Sequence, residues 1–413
     1  MELFSWQMYS ILVFGIGVDF GRAQTCDPAT CSLPSCFCPK AGTPGGLSTT
    51  DIPQIVLFMF DGSVTSLHYP HYEALFNDNR LNPNGCPIGG TVFVSHNFTD
   101  YSSVRKLYLQ GLEIGVNSVT RPLSDAWKNA GVDMIKDEIL TQKENIIREA
   151  RVPEDEIWGW RSPNLQSAGR NQFRVLQLNN FEYDSTVVTT GWSGNTNILG
   201  WPFTLDYPYP ERCQIAPCPS EPYEGLWEVP IVPFQDIKAE GTCSYLEGCT
   251  NQPTNKAEVL TFLKNNFEAN YKGTRAPVYI NLRISWLATE SYNREGIIDF
   301  INELVALDDV YILTAHQLLA WVKNPQTLAH AKDFAPWSCP DFVNNNINIW
   351  DQIKSIFVQG TGKDAVVPEA PATTTPRPSV QIIYVSENGS ESHRGSCVIL
   401  GLTSFVLMAM KLF

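Results

Sequence analysis

An α/β fold with a mostly parallel sheet, open or closed into a barrel, is what this sequence predicts, and three observations predict it. From about residue 52 to 358, short runs rich in β-branched and aromatic residues alternate with amphipathic runs. Such alternation is the pattern of parallel strands joined by crossover helices. The span, roughly 300 residues, is normal for a single barrel domain. With 43% hydrophobic and 17% charged residues, the 413-residue chain has the material for a large core, which excludes wholesale disorder and rod-like folds.

The expected strands are Ile55–Phe60, Thr91–Ser95, Glu113–Ser118, Ile157–Trp160, Ser185–Thr189, Leu226–Ile231, Val278–Leu282 and Val310–Thr314, each short and bounded by turn residues. Between them, Asp125–Ala150, Gly169–Asn180, Lys256–Tyr271 and Glu295–Leu307 place apolar residues three and four apart, the spacing of a helix with one buried face. Before the domain (51–358), residues 24–50 are rich in Cys, Pro and Gly and read as a stapled N-terminal segment. After it, residues 359–388 carry Pro371, Thr373-Thr374-Thr375, Pro376 and Pro378, a composition that buries no core and reads as an extended stalk.

Both ends carry processing signals. Residues 1–23 hold an apolar stretch around Ile11–Val18 followed by Gly21-Arg22-Ala23, and read as a secretory signal peptide. Residues 389–413 hold a polar spacer, Glu391 to Ser396, and an apolar tail from Cys397 to Phe413. With small residues at Asn388-Gly389-Ser390, this reads as a GPI-attachment signal with Asn388 as the attachment site. The expected location is therefore extracellular, at the plasma-membrane surface, with release into the extracellular matrix as the alternative. Asn97-Phe98-Thr99 is the expected N-glycosylation site.

Of the 11 cysteines, Cys26, Cys31, Cys36, Cys38, Cys86, Cys213, Cys218, Cys243, Cys249 and Cys339 precede the tail, an even number that predicts five disulfides in a secreted chain. Cys213/Cys218 and Cys243/Cys249 are close enough to staple local loops, and spacing does not fix the remaining pairs. Zinc knuckles need CxxC pairs, and Cys36-Phe37-Cys38 has the wrong spacing. With 43 acidic against 29 basic residues the formal charge is −14, which argues against nucleic acid as a partner and leaves neutral glycans open.

In parallel α/β folds the chemistry sits at the carboxyl ends of strands. Those ends carry Asp61-Gly62, Asn117 with Arg121, Arg161-Ser162-Pro163, Asp184 and Arg283, an Asp/Arg-rich mouth without histidine. The stretches "CDPATC…CFC", "PQIVLFMFDG", "NPNGCPIGGTVFVSHNFTDYSSV", "EIGVNSVTRP", "WGWRSPN", "NQF…FEYDSTV", "RAPVYINLRISWL" and "FAPWSCP" run in order from Cys26 to Cys339. Over this length the chain resembles the chitin deacetylase-like proteins of invertebrates, members of the carbohydrate esterase family 4 (NodB-homology) polysaccharide deacetylases. The resemblance implies a distorted (β/α) barrel with fewer than eight strands, a chitin-like substrate and deacetylation by a zinc-activated water.

The family's motifs, carried over by resemblance, are altered here. The first motif's base falls on Asp61 and its metal carboxylate on Gly62, which has no side chain. The two metal histidines fall on Asn117 and Arg121; an amide is a poor zinc ligand and a guanidinium repels a cation. The third motif keeps Arg161 and Pro163, the fourth keeps Asp184, and the catalytic acid is replaced by Arg283, which transfers no protons near neutral pH. No metal cofactor is therefore expected, and Asp61, Arg161 and Asp184 are expected as remnants of a lost catalytic set.

Arg121, Arg161 and Arg283 are expected to form an ion-pair cluster with Asp61 and Asp184. His68-Tyr69-Pro70-His71 has HxxH spacing, but Pro70 argues against a helical face that would aim both rings at one metal. For glycan contact, Pro163, Trp192, Trp201 and Trp286 are the candidates, with Trp192 and Trp201 expected to be exposed; Trp158, Trp160 and Tyr183 are weaker ones. The expected function is non-catalytic binding of chitin or a related N-acetylglucosamine glycan. The alternatives are an active deacetylase with an unconventional metal site and a surface scaffold for protein partners.

Overall fold

The computed structural model describes residues 25–77, 79–191 and 200–339, all within a unit that spans Met1–Ser355; the second unit, Ile356–Phe413, falls outside them. The signal segment, Trp192, the stalk, Asn388 and the tail likewise lie outside the described residues.

Among the described residues eleven strands form: β1 (Gln54–Gly62), β2 (Thr91–Val94), β3 (Glu113–Val116), β4 (Gly159–Trp160), β5 (Tyr183–Asp184), β6 (Phe203–Thr204), β7 (Trp227–Glu228), β8 (Phe234–Gln235), β9 (Thr242–Cys243), β10 (Val278–Leu282) and β11 (Val310–Leu313). Nine of them make one sheet in the order β10-β1-β2-β3-β4-β5-β7-β6, with β11 also on β1. All pairs in it are parallel except β6 with β7, while β8 and β9 form a separate antiparallel pair.

β1 is the hub. One edge carries β10 over Val56–Phe60, so β11 (over Gln54–Leu57) and β2 (over Met59–Gly62) share the other edge. Splitting one edge between two strands curls the sheet into a distorted (β/α) barrel. The nine-stranded count exceeds the fewer-than-eight expectation, because several strands are only two residues long and too brief to read from a pattern.

Side-chain alternation sorts the core into two. Ile55, Leu57, Met59, Phe93, Tyr183, Trp227, Tyr279 and Tyr311 point into the barrel. Val56, Phe58, Phe60, Val92, Val94 and Ile114 point outward and are covered by helices, chiefly Tyr101–Leu109, Val132–Asn145, Arg170–Leu178, Lys256–Tyr271 and Ser291–Leu304. Every residue of β1 is buried, as its unbroken apolar run requires of a strand covered on both faces.

Three expectations shift. The long helix expected over Asp125–Ala150 breaks into Ser124–Lys128 and Val132–Asn145, with Gly131 starting the second, and continues as a wide turn, Ile146–Ala150. The strand expected at Ser185–Thr189 lies at Tyr183–Asp184 instead; the Ser185 carbonyl is taken by the Arg161 Nε–H at 3.0 Å, and beyond it a single bridge joins Val188 to Ile231. Pro70 does not prevent a helix: it sits in the first turn of Tyr69–Leu75, where a missing N–H costs nothing.

Ten cysteines pair as Cys26–Cys38, Cys31–Cys36, Cys86–Cys339, Cys213–Cys218 and Cys243–Cys249. The third closes a separation of 253 residues and ties the loop before β2 to the end of the domain.

Close packing inside the barrel gives a test. A Cβ at Gly159 would lie 2.0 Å from Tyr183 Cζ, and Tyr183 is fully buried. Gly159→Ala is therefore expected to destabilise the fold by about 1–3 kcal/mol or more, read as a lower urea midpoint.

Candidate functional site

The inward positions of β1 end at Asp61, whose side chain is completely buried at the carboxyl end of the barrel. Its Oδ2 accepts the Tyr245 hydroxyl at 3.1 Å and lies 3.9 Å from Arg121 Nη2. Its Oδ1 lies 3.8 Å from Arg161 Nη1, and neither of those atoms has a hydrogen bond among the described residues.

Arg161, just past β4, is fully buried. Nε and Nη2 donate to the Ser185 carbonyl and Oγ at 3.0 and 2.9 Å, and the guanidinium lies over the Phe93 ring, 4.4 Å from its centroid. A buried guanidinium without an anion is strongly unfavourable, and Asp61 is the acid placed to neutralise it.

Arg121 fills the space above Gly62. A Cβ on Gly62 would lie 2.7 Å from Arg121 Nη1. Gly62 also has φ +122°, a backbone state that side-chain-bearing residues rarely adopt. Arg121 itself is left-handed at φ +53°, with its N–H bonded to Ser118 Oγ at 3.1 Å. Asn117 Nδ2 donates to the Arg161 carbonyl at 2.8 Å, so the amide ties two strand ends together.

These residues do not fit the family's zinc. Gly62 offers no ligand atom, Asn117 uses its amide on the backbone, and Arg121 puts a cation where the metal carboxylate would stand. Elsewhere, among the described residues, the one grouping close enough for a metal is Cys26, Cys31 and Cys36, all in disulfides. His68 and His71 do lie near each other, ring centroids 6.3 Å apart, but His71 Nδ1 is 3.4 Å from the Arg294 guanidinium. Burial, then Arg294 and His68, hold the His71 pKa below its ordinary value.

Two members of the expected ion-pair cluster are elsewhere. Tyr183 points into the barrel, so alternation turns Asp184 outward, toward the helix Arg170–Leu178. There Gln172 Nε2 donates to Oδ1 at 2.9 Å, and the Thr186 N–H and hydroxyl donate at 2.8 and 2.9 Å. Its neighbour is the buried acid Glu228, not an arginine. Burial raises Asp184 to about 6, and burial together with the Asp184 charge pushes Glu228 well above the carboxylate range. Facing Arg161 instead is Ser185.

Arg283 stays at the rim. Its Nη2 donates to Asn164 Oδ1 at 2.9 Å, its guanidinium lies over the Tyr245 ring at 5.2 Å, and its backbone N–H donates to Glu247 Oε1 at 3.1 Å. Tyr245 and Glu247 belong to the loop closed by Cys243–Cys249 and were not singled out in the sequence; the six-residue cysteine spacing marked only a stapled loop. That loop covers Asp61. Burial, followed by the Asp61 charge, raises Glu247 to about 7.

The expected exposure of Trp201 is corrected: it is 2% exposed and stacks on Trp321 at 5.5 Å, and Trp286 and Pro163 are buried as well. Trp192 lies outside the described residues. Asn97 is exposed. The large exposed apolar side chains at this end are Leu67, Phe98 and Leu123, 78%, 89% and 81% exposed, on the loops after β1, β2 and β3. Those loops are tied together: Asn97 N–H donates to the Val119 carbonyl, Ser63 Oγ to the Asn97 carbonyl, and Asp100 N–H to the Val64 carbonyl.

Curated proteins supply the comparison. The chain is 33% identical to chitin deacetylase 1 of Bombyx mori over 345 residues, covering 80% of this chain and 63% of that protein. It is 32% identical to chitin deacetylase 8 of the same organism over 319 residues, covering 76% of this chain and 82% of that one. Among solved structures, a Mycobacterium smegmatis protein named as a polysaccharide deacetylase aligns with a TM-score of 0.46 at 18% identity, covering 69% of this chain and 95% of that one. No family model matches.

The acid pair predicts a pH dependence. Both carboxyls titrate higher in the folded chain than in the unfolded one, so the folded state holds the extra proton. Their contribution is complete below the unfolded carboxylate range and is lost as pH rises through about 6. The urea midpoint is expected to fall between pH 5 and 7.5, and the fall to be shallower in Glu228→Gln.

Proposed function

The chain belongs to the chitin deacetylase family, amide hydrolases of carbohydrate esterase family 4, and we propose that it is a non-catalytic member that binds chitin or a related N-acetylglucosamine glycan. The observation that carries the reading is the 2.7 Å between Arg121 Nη1 and the place where a Cβ of residue 62 would stand. A metal carboxylate and this arginine exclude each other. The family mechanism needs a metal to lower the pKa of a water and an acid to protonate the leaving amine. Here the metal's place is taken by a fixed cation, and the acid's place by Arg283.

What supports binding is the rim. Leu67, Phe98 and Leu123 present apolar faces on three joined loops around the Asp61 mouth, with an aromatic ring of the kind that packs on a pyranose. A neutral polysaccharide suits a chain of charge −14 better than a polyanion does. The proposal includes secretion and GPI anchoring at the cell surface, supported by the signal at residues 1–23, the stalk at 359–388 and the segment 389–413 with Asn388. Asn97, exposed beside Phe98, is proposed as the glycosylated asparagine.

Four outcomes are expected. The purified protein releases no acetate from N-acetylchitotetraose, with or without added zinc; turnover abolished by Asp61→Asn would overturn the reading. Phe98→Ala weakens retention on chitin several-fold, corresponding to about 1 kcal/mol. Gly62→Asp alone lowers the urea midpoint, because its side chain meets Arg121 at a strained φ. Gly62→Asp, Asn117→His and Arg121→His together relieve the collision and take up zinc, measured by metal analysis of the folded protein.

A further inference from the structure

We propose that the cavity at the amino ends of β3 and β4, opposite Asp61, is a second glycan site that seats a single terminal hexopyranose unit; this rests on the reading that the protein binds glycan.

The cavity measures about 210 Å³ and is lined by Tyr108, Glu113, Glu156, Trp158, His316 and Gln317, among others. Drug-sized ligands occupy about 300–1,000 Å³, so this space suits one small ring and not a polymer segment. It is separate from the Asp61 mouth. Trp158 precedes β4 and Arg161 follows it, so the two sites lie at opposite ends of the same strand.

Its floor is built and braced. The Trp158 and His316 rings stack with centroids 3.7 Å apart and planes 10° apart. Glu182 holds His316 Nδ1 at 2.7 Å, and Lys323 grips the other Glu182 oxygen at 2.6 Å, fixing the ring pair. Glu113, buried behind them, is spent on structure: it accepts the Tyr183 and Thr91 hydroxyls and the His316 N–H at the start of the helix Ala315–Lys323.

The groups left over define the ligand. Among the described residues, Trp158 Nε1 and His316 Nε2 make no hydrogen bond, and both are donors when the imidazole is charged. Glu156 spends Oε2 on the Tyr108 hydroxyl at 2.8 Å and keeps a second oxygen as an acceptor. Donors and an acceptor around an aromatic platform match hydroxyls, which both give and accept protons, on a ring with an apolar face. The carboxylates disfavour an anion. A cationic amine is disfavoured as well: burial would lower the His316 pKa, but the bond to Glu182 and its charge outweigh this and keep the ring protonated beyond its ordinary range.

Calorimetric titration of the disulfide-intact chain with N-acetylchitotetraose tests the proposal, with methyl α-mannoside as a second probe for a less selective pocket. Two tetramers per chain are expected for the wild type and one for Trp158→Ala. His316→Gln, which removes both the stacked ring and its charge while keeping a side chain of similar length, is expected to weaken that one site about tenfold while circular dichroism stays unchanged. If this site is real and the Asp61 mouth binds nothing, the wild type takes one tetramer and Trp158→Ala none. If the mouth binds and this site does not, both proteins take one and His316→Gln changes nothing, which overturns the proposal. Failure of the wild type to bind either probe overturns it as well.

Discussion

A guanidinium sealed inside a barrel is the constraint around which the carboxyl end of this molecule is arranged. Arg161 has no exposure, and its charge has Asp61 as its one ion-pair partner among the described residues. Breaking a buried pair by removing one partner typically costs about 3–5 kcal/mol, since it leaves a charge in a medium that solvates it poorly. Asp61 is thus required by the fold whether or not it ever acts as a base. This explains why Asp61 and Arg161 stay together while Gly62, Asn117 and Arg121, at the positions the family resemblance assigns to metal ligands, offer no ligand set that suits zinc. The buried pair has a structural role of its own that needs no metal.

Under the proposed reading, side chains in place of a dication also change what the pocket can do. Arg121 and Arg283 together carry the formal charge of a divalent ion, but of these two only Arg121 pairs with Asp61. Arg283 is drawn away by Asn164 and by the Tyr245 face. A metal ion offers open coordination positions to a water and to substrate; a guanidinium offers fixed N–H donors and cannot acidify a water. Tyr245 then lies over Asp61 and takes one of its oxygens. Left-handed backbone at Gly62, Arg121 and Asn164 surrounds the same spot, so local strain accompanies this rearrangement.

Much of this was legible in the sequence, and what was not has identifiable causes. β10 and the helix Lys256–Tyr271 match their expected bounds, because the strand is a continuous apolar run and the helix begins at Asn255, whose side chain caps the Glu258 N–H. β6, β8 and β9 are two residues each and leave no periodic trace. The meeting of Asp61, Arg121 and Arg161 was foreseen from motif positions, and the Gly62 substitution was visible as a missing ligand. The displacement of Asp184 was not: expected just before a strand at Ser185–Thr189, it lies within β5 itself, where alternation with the inward-facing Tyr183 turns its side chain outward. Trp201 sits in a Gly- and Asn-rich stretch that suggests exposure, yet its partner Trp321 is 120 residues away, and no local pattern reports such a contact.

The two ends of the barrel are joined by packed side chains and not by a channel. Glu113 bonds the Tyr183 hydroxyl, Tyr183 packs edge-on to Phe93 with centroids 6.2 Å apart, Phe93 carries the Arg161 guanidinium, and Arg161 faces Asp61. Gly159 is what lets this column form, since Tyr183 occupies the space where its side chain would be. Interiors packed to this density resist gradual deformation. A ligand at one end therefore has no passage to the other, and the two mouths share a wall while presenting separate chemistry: charge-filled and capped by a stapled loop at the carboxyl end, aromatic and hydroxyl-matched at the amino end. If a single glycan chain were to engage both, it would have to run around the outside of the barrel, past the helices that cover the sheet.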